Sequence, residues 1–342
     1  MDKPIGIRKP RVDERPLFDV LLGIWGYPAI FVAHELKLFE LLAERPLALD
    51  EVCAAKKLAR RPAEALLAVC ASIGLVELKE GRFALTALAE DYMLPSSPTY
   101  YGWDLDAWRL VYSVWSPDSL REAVLTDHPQ GVFADPAGIF AAWHTEHAMH
   151  FTRAMHSASM GPGLVWPEKL DLAPHRVMLD IGGGSGAHSI GAATTYPHLK
   201  AIVLDQDPVC AIARDFIEKY GLAGRVSTHA ADFFNDPFPP ADLHFYGMIF
   251  HDWPPDRCRS FARKSFESLP KGGRIVIHEL LFNDDRTGPF PVAAFNVAML
   301  VAMQGQQYSG REISGFLTEA GFSEIEVKST FGYWSIVTGV KP

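Results

Sequence analysis

The residue best suited to chemistry in this sequence is His251, in the run His251-Asp252-Trp253. Imidazole is the side chain best matched to taking up a proton near neutral pH. A phenol, with a pKa of about 10, stays mostly protonated at pH 7. A base beside its hydroxyl would free the oxygen lone pair as an electrophile arrives. Alignment of the reacting atoms would supply much of the remaining acceleration. Glu279 closes the next apolar run, 275–277. It is placed to accept a hydrogen bond from the far ring nitrogen and so fix the tautomer. A lone histidine is equally well a satisfied loop residue, so the weight falls on its surroundings.

Upstream, Asp180-Ile181-Gly182-Gly183-Gly184-Ser185-Gly186 leads from an apolar run into a helical stretch. Gly182, Gly184 and Gly186 let backbone approach a ligand, and a helix N-terminus offers free N–H groups. Gly182-x-Gly184-x-x-Ala187 also satisfies the dinucleotide fingerprint. Two features lean away from a pyrophosphate. Asp180, directly before the glycines, suits an ammonium group, and the loop opens the second part of the chain rather than its start. Asp205 ends the next apolar run, where an acid holds ribose hydroxyls in either kind of site. Asp232-Phe233 ends the third, an acid for an adenine amino group beside an apolar residue for the ring. Asp232 would be explained as well by a turn cap. Gln206 and Met248 complete the expected cofactor set. The three acids fall at the carboxyl ends of successive strands, where this architecture binds ligands.

The elements that must position these groups follow from periodicity. Short apolar runs at 177–179, 201–204, 225–228, 243–246 and 275–277 alternate with helical segments, which predicts an α/β, doubly wound parallel sheet. The runs 324–327 and 334–338 follow each other without a helix, so they form an antiparallel edge pair and bring the strands to seven. Before the sheet, Asp50 is placed to cap a short helix. Pro62 opens a second, over 63–73, stopped by Gly74. A hairpin turns at 79–82. Helices plus hairpin make a winged-helix pattern, which by itself suggests DNA binding. Domains are expected at 1–105, a helical linker at 106–168 and the sheet domain at 169–342.

Bulk properties narrow the classes. The length of 342 residues suits two domains, and 48% apolar with 21% charged residues is a soluble globular balance. A formal charge of -9 argues against nucleic acid as partner, since phosphate binding needs clustered Lys and Arg. Cys53, Cys70, Cys210 and Cys258 are scattered without a C-x-x-C pair, which fits buried thiols in a reducing, cytoplasmic setting. The apolar stretch 17–32 is broken by Asp19 and Pro28, so a buried helix is expected rather than a membrane span.

From about Leu17 to its end the chain resembles the O-methyltransferases of the caffeic acid and acetylserotonin type, common also in bacterial natural-product pathways. The motifs that carry the resemblance are Leu179–Gly186, Ala231-Asp232-Phe233-Phe234, His251-Asp252-Trp253, Pro270-Lys271-Gly272-Gly273 and Met299-Leu300-Val301. The resemblance implies a Rossmann-like methyltransferase domain using S-adenosyl-L-methionine. It implies a winged-helix N-terminal domain for homodimerisation, His251 as general base, and Glu279 as one carboxylate partner. Where many members carry a second acid, the matching stretch Gly305-Gln306-Gln307-Tyr308-Ser309 puts Gln307. A neutral amide orients an imidazole but stabilises imidazolium less than a carboxylate does.

The acceptor is expected to be a small aromatic metabolite. Its pocket candidates are Asp252, Trp143, His147, Phe151, Met155, Phe295, Asn296 and Met299, aromatic and thioether side chains suiting a flat apolar ligand. Such residues also fill any helical core. Other readings stand beside this one. Some relatives methylate carbon with a metal held by this His and Asp, though the third position, near Gln304, is a poor ligand. A relative that keeps the cofactor without methylating, and a DNA-binding regulator, are the others. His144, His147 and His150 lack zincin spacing, and no metal is expected.

Overall fold

The structure, a computed structural model, describes residues 9–111, 114–131 and 145–342, the side chains of 110, 111 and 145–147 excepted. The chain divides into two compact units, 1–102 and 103–342. The segment 106–168, set apart by sequence, falls within the second.

The first unit runs α1 (Arg15–Glu35), α2 (Leu38–Glu44), β1 (Leu47–Ala48), α3 (Leu49–Lys56), α4 (Arg60–Ser72), β2 (Val76–Lys79), β3 (Arg82–Leu85) and α5 (Ala87–Tyr92). Asp50 does not cap α3. Ala48 takes that position, and its N–H donates to the Glu51 carboxylate at 2.9 Å, while Asp50 pairs with Arg60 at 2.6 Å. Glu80 and Gly81, both at positive φ, close β2 onto β3 in a two-residue turn whose twist matches that of the strands. β1 adds a third strand in the order β1-β3-β2, completing a winged-helix pattern. The expectation of a buried α1 fails within this unit. Leu17, Leu21, Ile24 and Trp25 are 59–72% exposed. By length and composition this helix is also long and apolar enough to cross a membrane.

In the second unit, α6 (Gly102–Val111), α7 (Pro117–Thr126) and α8 (Thr145–Val165) precede the sheet. There follow β4 (Val177–Ile181), α9 (Ala187–Thr195), β5 (Lys200–Asp205), α10 (Asp207–Lys219), β6 (Val226–Ala230), β7 (Leu243–Gly247), α11 (Pro255–Ser268), β8 (Arg274–Leu280), α12 (Phe290–Ala302), α13 (Gly310–Ala320), β9 (Ser323–Phe331) and β10 (Trp334–Val340). The order is β6-β5-β4-β7-β8-β10-β9. The first five strands are parallel, and β10 is antiparallel to both β8 and β9. Period-two alternation builds a core on each face. Met178, Phe245, Val276 and Ile336 pack with α9 and α10 residues on one side. Leu179, Tyr246, Ile277 and Val337 pack with α11 and α13 residues on the other. Strand order reverses between β4 and β7, which opens the ligand crevice at their carboxyl ends.

Candidate active site

The glycine loop leaves β4 at that crevice. Gly182, Gly184 and Gly186 all have positive φ, a region costly to residues with a Cβ. At Gly182 a Cβ would also run into Ile249 and come within 3.8 Å of the Phe233 ring. Asp205, ending β5, accepts the N–H of Gly184 at 2.9 Å and that of Gln206 at 2.7 Å. Burial pushes its carboxyl up to about 6. Gln206 itself stands at the N-cap position of α10, makes no side-chain capping bond and is exposed. Met248 is half-buried just past β7, with its backbone in the left-handed region at φ 56°. An unbranched residue held there by tertiary structure is a common mark of a functional loop.

Two of the acids sit differently from expectation. Asp180 does not present an open carboxylate for an ammonium group: it is wholly buried, and one oxygen accepts from the Ser189 hydroxyl of α9 at 2.7 Å. Its other oxygen is buried without a partner among the described residues. Burial pushes this carboxyl up to about 7. Asp232 is exposed and caps its own turn, accepting from the Phe234 N–H at 2.8 Å and the Asn235 amide at 2.7 Å. A carboxylate has lone pairs to spare beyond these. Phe233 lies half-buried beside it, its ring 4.4 Å from that of Phe234.

His251 lies in a 3-10 turn, Phe250–Asp252, directly beyond β7. Its Nδ1–H donates to Glu279 at 2.6 Å, and the other Glu279 oxygen accepts the Phe250 N–H at 2.9 Å. Glu279 is 2% exposed, so one buried carboxylate fixes both the turn and the ring. Nε2 faces Asp252 at 3.3 Å. Burial alone pulls the imidazole down, but Glu279 and then Asp252 outweigh it and hold its pKa up at about 10. The second carboxylate at the ring is therefore Asp252.

Gln307 does not orient the imidazole, contrary to expectation. Its amide is fully buried, and both heteroatoms lack partners among the described residues. Its backbone is fixed instead: the N–H donates to Asn296 at 2.8 Å and the carbonyl accepts from Arg286 at 3.1 Å. Asn296 thus serves the loop with its side-chain oxygen. Phe295 stands edge-on to the His251 ring, 5.6 Å between centroids. Met299 is buried, Met155 half-buried and Phe151 37% exposed. Trp143 and His144 lie outside the described residues, as does the side chain of His147; His150 is exposed.

Several positioning groups escape sequence reasoning. A Cβ at Gly305 would collide with the His251 carbonyl and the Trp253 N–H, so this glycine lets the 303–309 segment lie flat on the histidine turn. Tyr308 donates to the Trp253 carbonyl at 2.7 Å. Lys264 of α11 donates to the Phe233 carbonyl at 2.7 Å and bridges to that of Asp236 at 2.6 Å. The glycine at 305 was the one local signal available for these contacts.

The backbone cradle at Gly182 and the acid at the end of β5 both fit an adenosyl ligand at the switch point. Comparison with known proteins agrees. Residues 18–95 match the O-methyltransferase dimerisation domain and residues 118–323 the O-methyltransferase domain. Over 331 residues the chain is 35% identical to the 3-hydroxy-5-methyl-1-naphthoate 3-O-methyltransferase of Streptomyces sahachiroi, covering 95% of this chain and 94% of that one. It is 31% identical to the acetylserotonin O-methyltransferase of Bos taurus, with 93% and 95% covered. The solved structure of human N-acetylserotonin methyltransferase in complex with S-adenosylmethionine superposes with a TM-score of 0.82 at 27% identity, over 98% of this chain and 99% of that chain. Fold, site and relatives define an S-adenosylmethionine-dependent methyltransferase. Within that class the chain belongs to the O-methyltransferase family that carries this dimerisation domain.

Proposed function

We propose that the protein methylates a hydroxyl of a small aromatic metabolite, with His251 as general base. The observation that carries this reading is His251 itself, gripped by Glu279 at one nitrogen and facing Asp252 at the other, beside the glycine loop. Bound S-adenosylmethionine supplies an electrophilic sulfonium methyl group, and Gly182, Gly184, Gly186, Asp205, Gln206, Asp232, Phe233 and Met248 would hold it. Glu279 keeps the proton on Nδ1 and leaves Nε2 to receive one from the acceptor. An imidazole held at about 10 matches a phenol of pKa about 10, so the proton moves between them at little cost. Asp252 balances the imidazolium that forms. Phe295, packed against the His251 ring, would offer an apolar surface to a flat ring. A flat aromatic acceptor is also what the naphthoate O-methyltransferase relative is named for.

The exposed apolar face of α1 is covered, in this reading, by a second copy of the chain, which the dimerisation domain supports. Four free cysteines and an acidic charge support a cytoplasmic protein that binds neither nucleic acid nor membrane. The central test is His251→Ala. S-adenosylhomocysteine binding by calorimetry is expected to persist while turnover falls by roughly 10²–10⁴. Unchanged turnover would remove His251 from the base role.

A further inference from the structure

α8 crosses α9, the helix that follows the glycine loop, at very close range. At Gly163 a Cβ would stand 3.0 Å from the Ala187 carbonyl oxygen, and at Gly191 it would collide with the Gly163 carbonyl. Two helical turns before Gly163, on the same face of α8, comes His156. Its ring is completely buried. It stacks on Phe216 of α10 at 3.9 Å between centroids, with the planes 17° apart. Nδ1 lies 2.8 Å from the hydroxyl of Ser185, inside the glycine loop, and Nε2 lies 3.3 Å from the Tyr220 hydroxyl. Ser185 is 3% exposed and sits between two glycines, which have no side chains to anchor the loop.

We propose that His156 is a positioning residue for the cofactor, holding the glycine loop in its binding shape through Ser185. Burial keeps the imidazole neutral, its pKa pulled down to about 3. A neutral ring has one donor and one acceptor, so either tautomer satisfies both hydroxyls. The stack on Phe216 fixes the ring plane and aims Nδ1 at the loop. Without that bond the Ser185 corner is held only through its neighbours, the Gly184 N–H on Asp205 and the Gly186 N–H on Gly183, and affinity falls by the cost of ordering it on binding. The inference rests on the glycine loop being the cofactor loop.

The test is the affinity of purified protein for S-adenosylhomocysteine by calorimetry. His156→Phe keeps the stack and removes both hydrogen bonds, and it is expected to weaken binding about three- to tenfold. Ser185→Ala should do the same, and the double variant should add little to either. Asn places an amide atom where Nδ1 stood, whereas Gln reaches the place of Nε2. His156→Asn should therefore restore most of the affinity and His156→Gln should not. Wild-type affinity in the Phe variant, or equal behaviour of Asn and Gln, overturns the proposal. Should the Phe variant not fold, Ser185→Ala decides: unchanged affinity there overturns it too. Asp205→Ala reports separately, since unchanged affinity in that variant overturns the assignment of the cofactor loop itself.

Discussion

At the scale of single residues, the charge state of His251 governs the pH dependence. Below its pKa of about 10 the ring is protonated and cannot accept the acceptor's proton. Turnover at saturating cofactor is therefore expected to rise with pH, about tenfold per unit from pH 7 towards 9. Glu279→Gln removes the largest influence raising that pKa, so the plateau should move to lower pH while the maximal rate falls. A flat profile between pH 7 and 9 in the native enzyme would contradict the raised pKa of His251. Gln307 has no part in this titration, because the carboxylate facing Nε2 comes from Asp252. Gln307→Glu would add a third, fully buried acid to the two already at the ring, where a charge without a partner is costly.

Among the elements, two glycine contacts set the geometry of the site. Gly305 lets its segment lie against the histidine turn, and Gly191 lets α9 pack against α8. Ala at either position overpacks a site bounded by backbone, which has little room to give. Each substitution is expected to cost about 1–3 kcal/mol. The consequences should differ. Gly305→Ala displaces His251 and should lower turnover more than S-adenosylhomocysteine affinity. Gly191→Ala pushes α8 away from the glycine loop and should lower that affinity. Thermal unfolding and calorimetry on the two variants check this, and identical effects on both readouts would contradict the division.

For the molecule as a whole, the exposed face of α1 bears on assembly. Leu17, Leu21, Ile24 and Trp25 recur along one face at helical spacing and are largely exposed. A contiguous apolar stripe of this kind marks an interaction surface rather than a solvated one. Leu21→Asp with Trp25→Asp is expected to convert a dimer to monomers, read by light scattering after gel filtration. A double variant that stays dimeric would place the interface elsewhere. Loss of the dimer should leave the secondary structure of the second unit intact, because that unit has its own two-faced core.

Much of this was open to reading in the chain itself. Short apolar runs separated by helical ones determined the sheet, because a strand buried on both faces must be apolar and short. Glycines at 182, 184 and 186 marked the loop, because only residues without a Cβ adopt those φ angles cheaply. His251 and Glu279 were legible as a pair because one follows and the other ends two neighbouring strands. What sequence left undecided was which way side chains point over distances of many residues. Asp180 turns inward to Ser189 rather than out to a ligand, and Asp232 turns back on its own loop. Asp252 takes the second carboxylate position, while the Gln307 amide is buried without a partner among the described residues. His156 reaches Ser185 only because Gly163 and Gly191 let two helices touch. Those contacts depend on how elements pack in space, and local residue type carries no record of that.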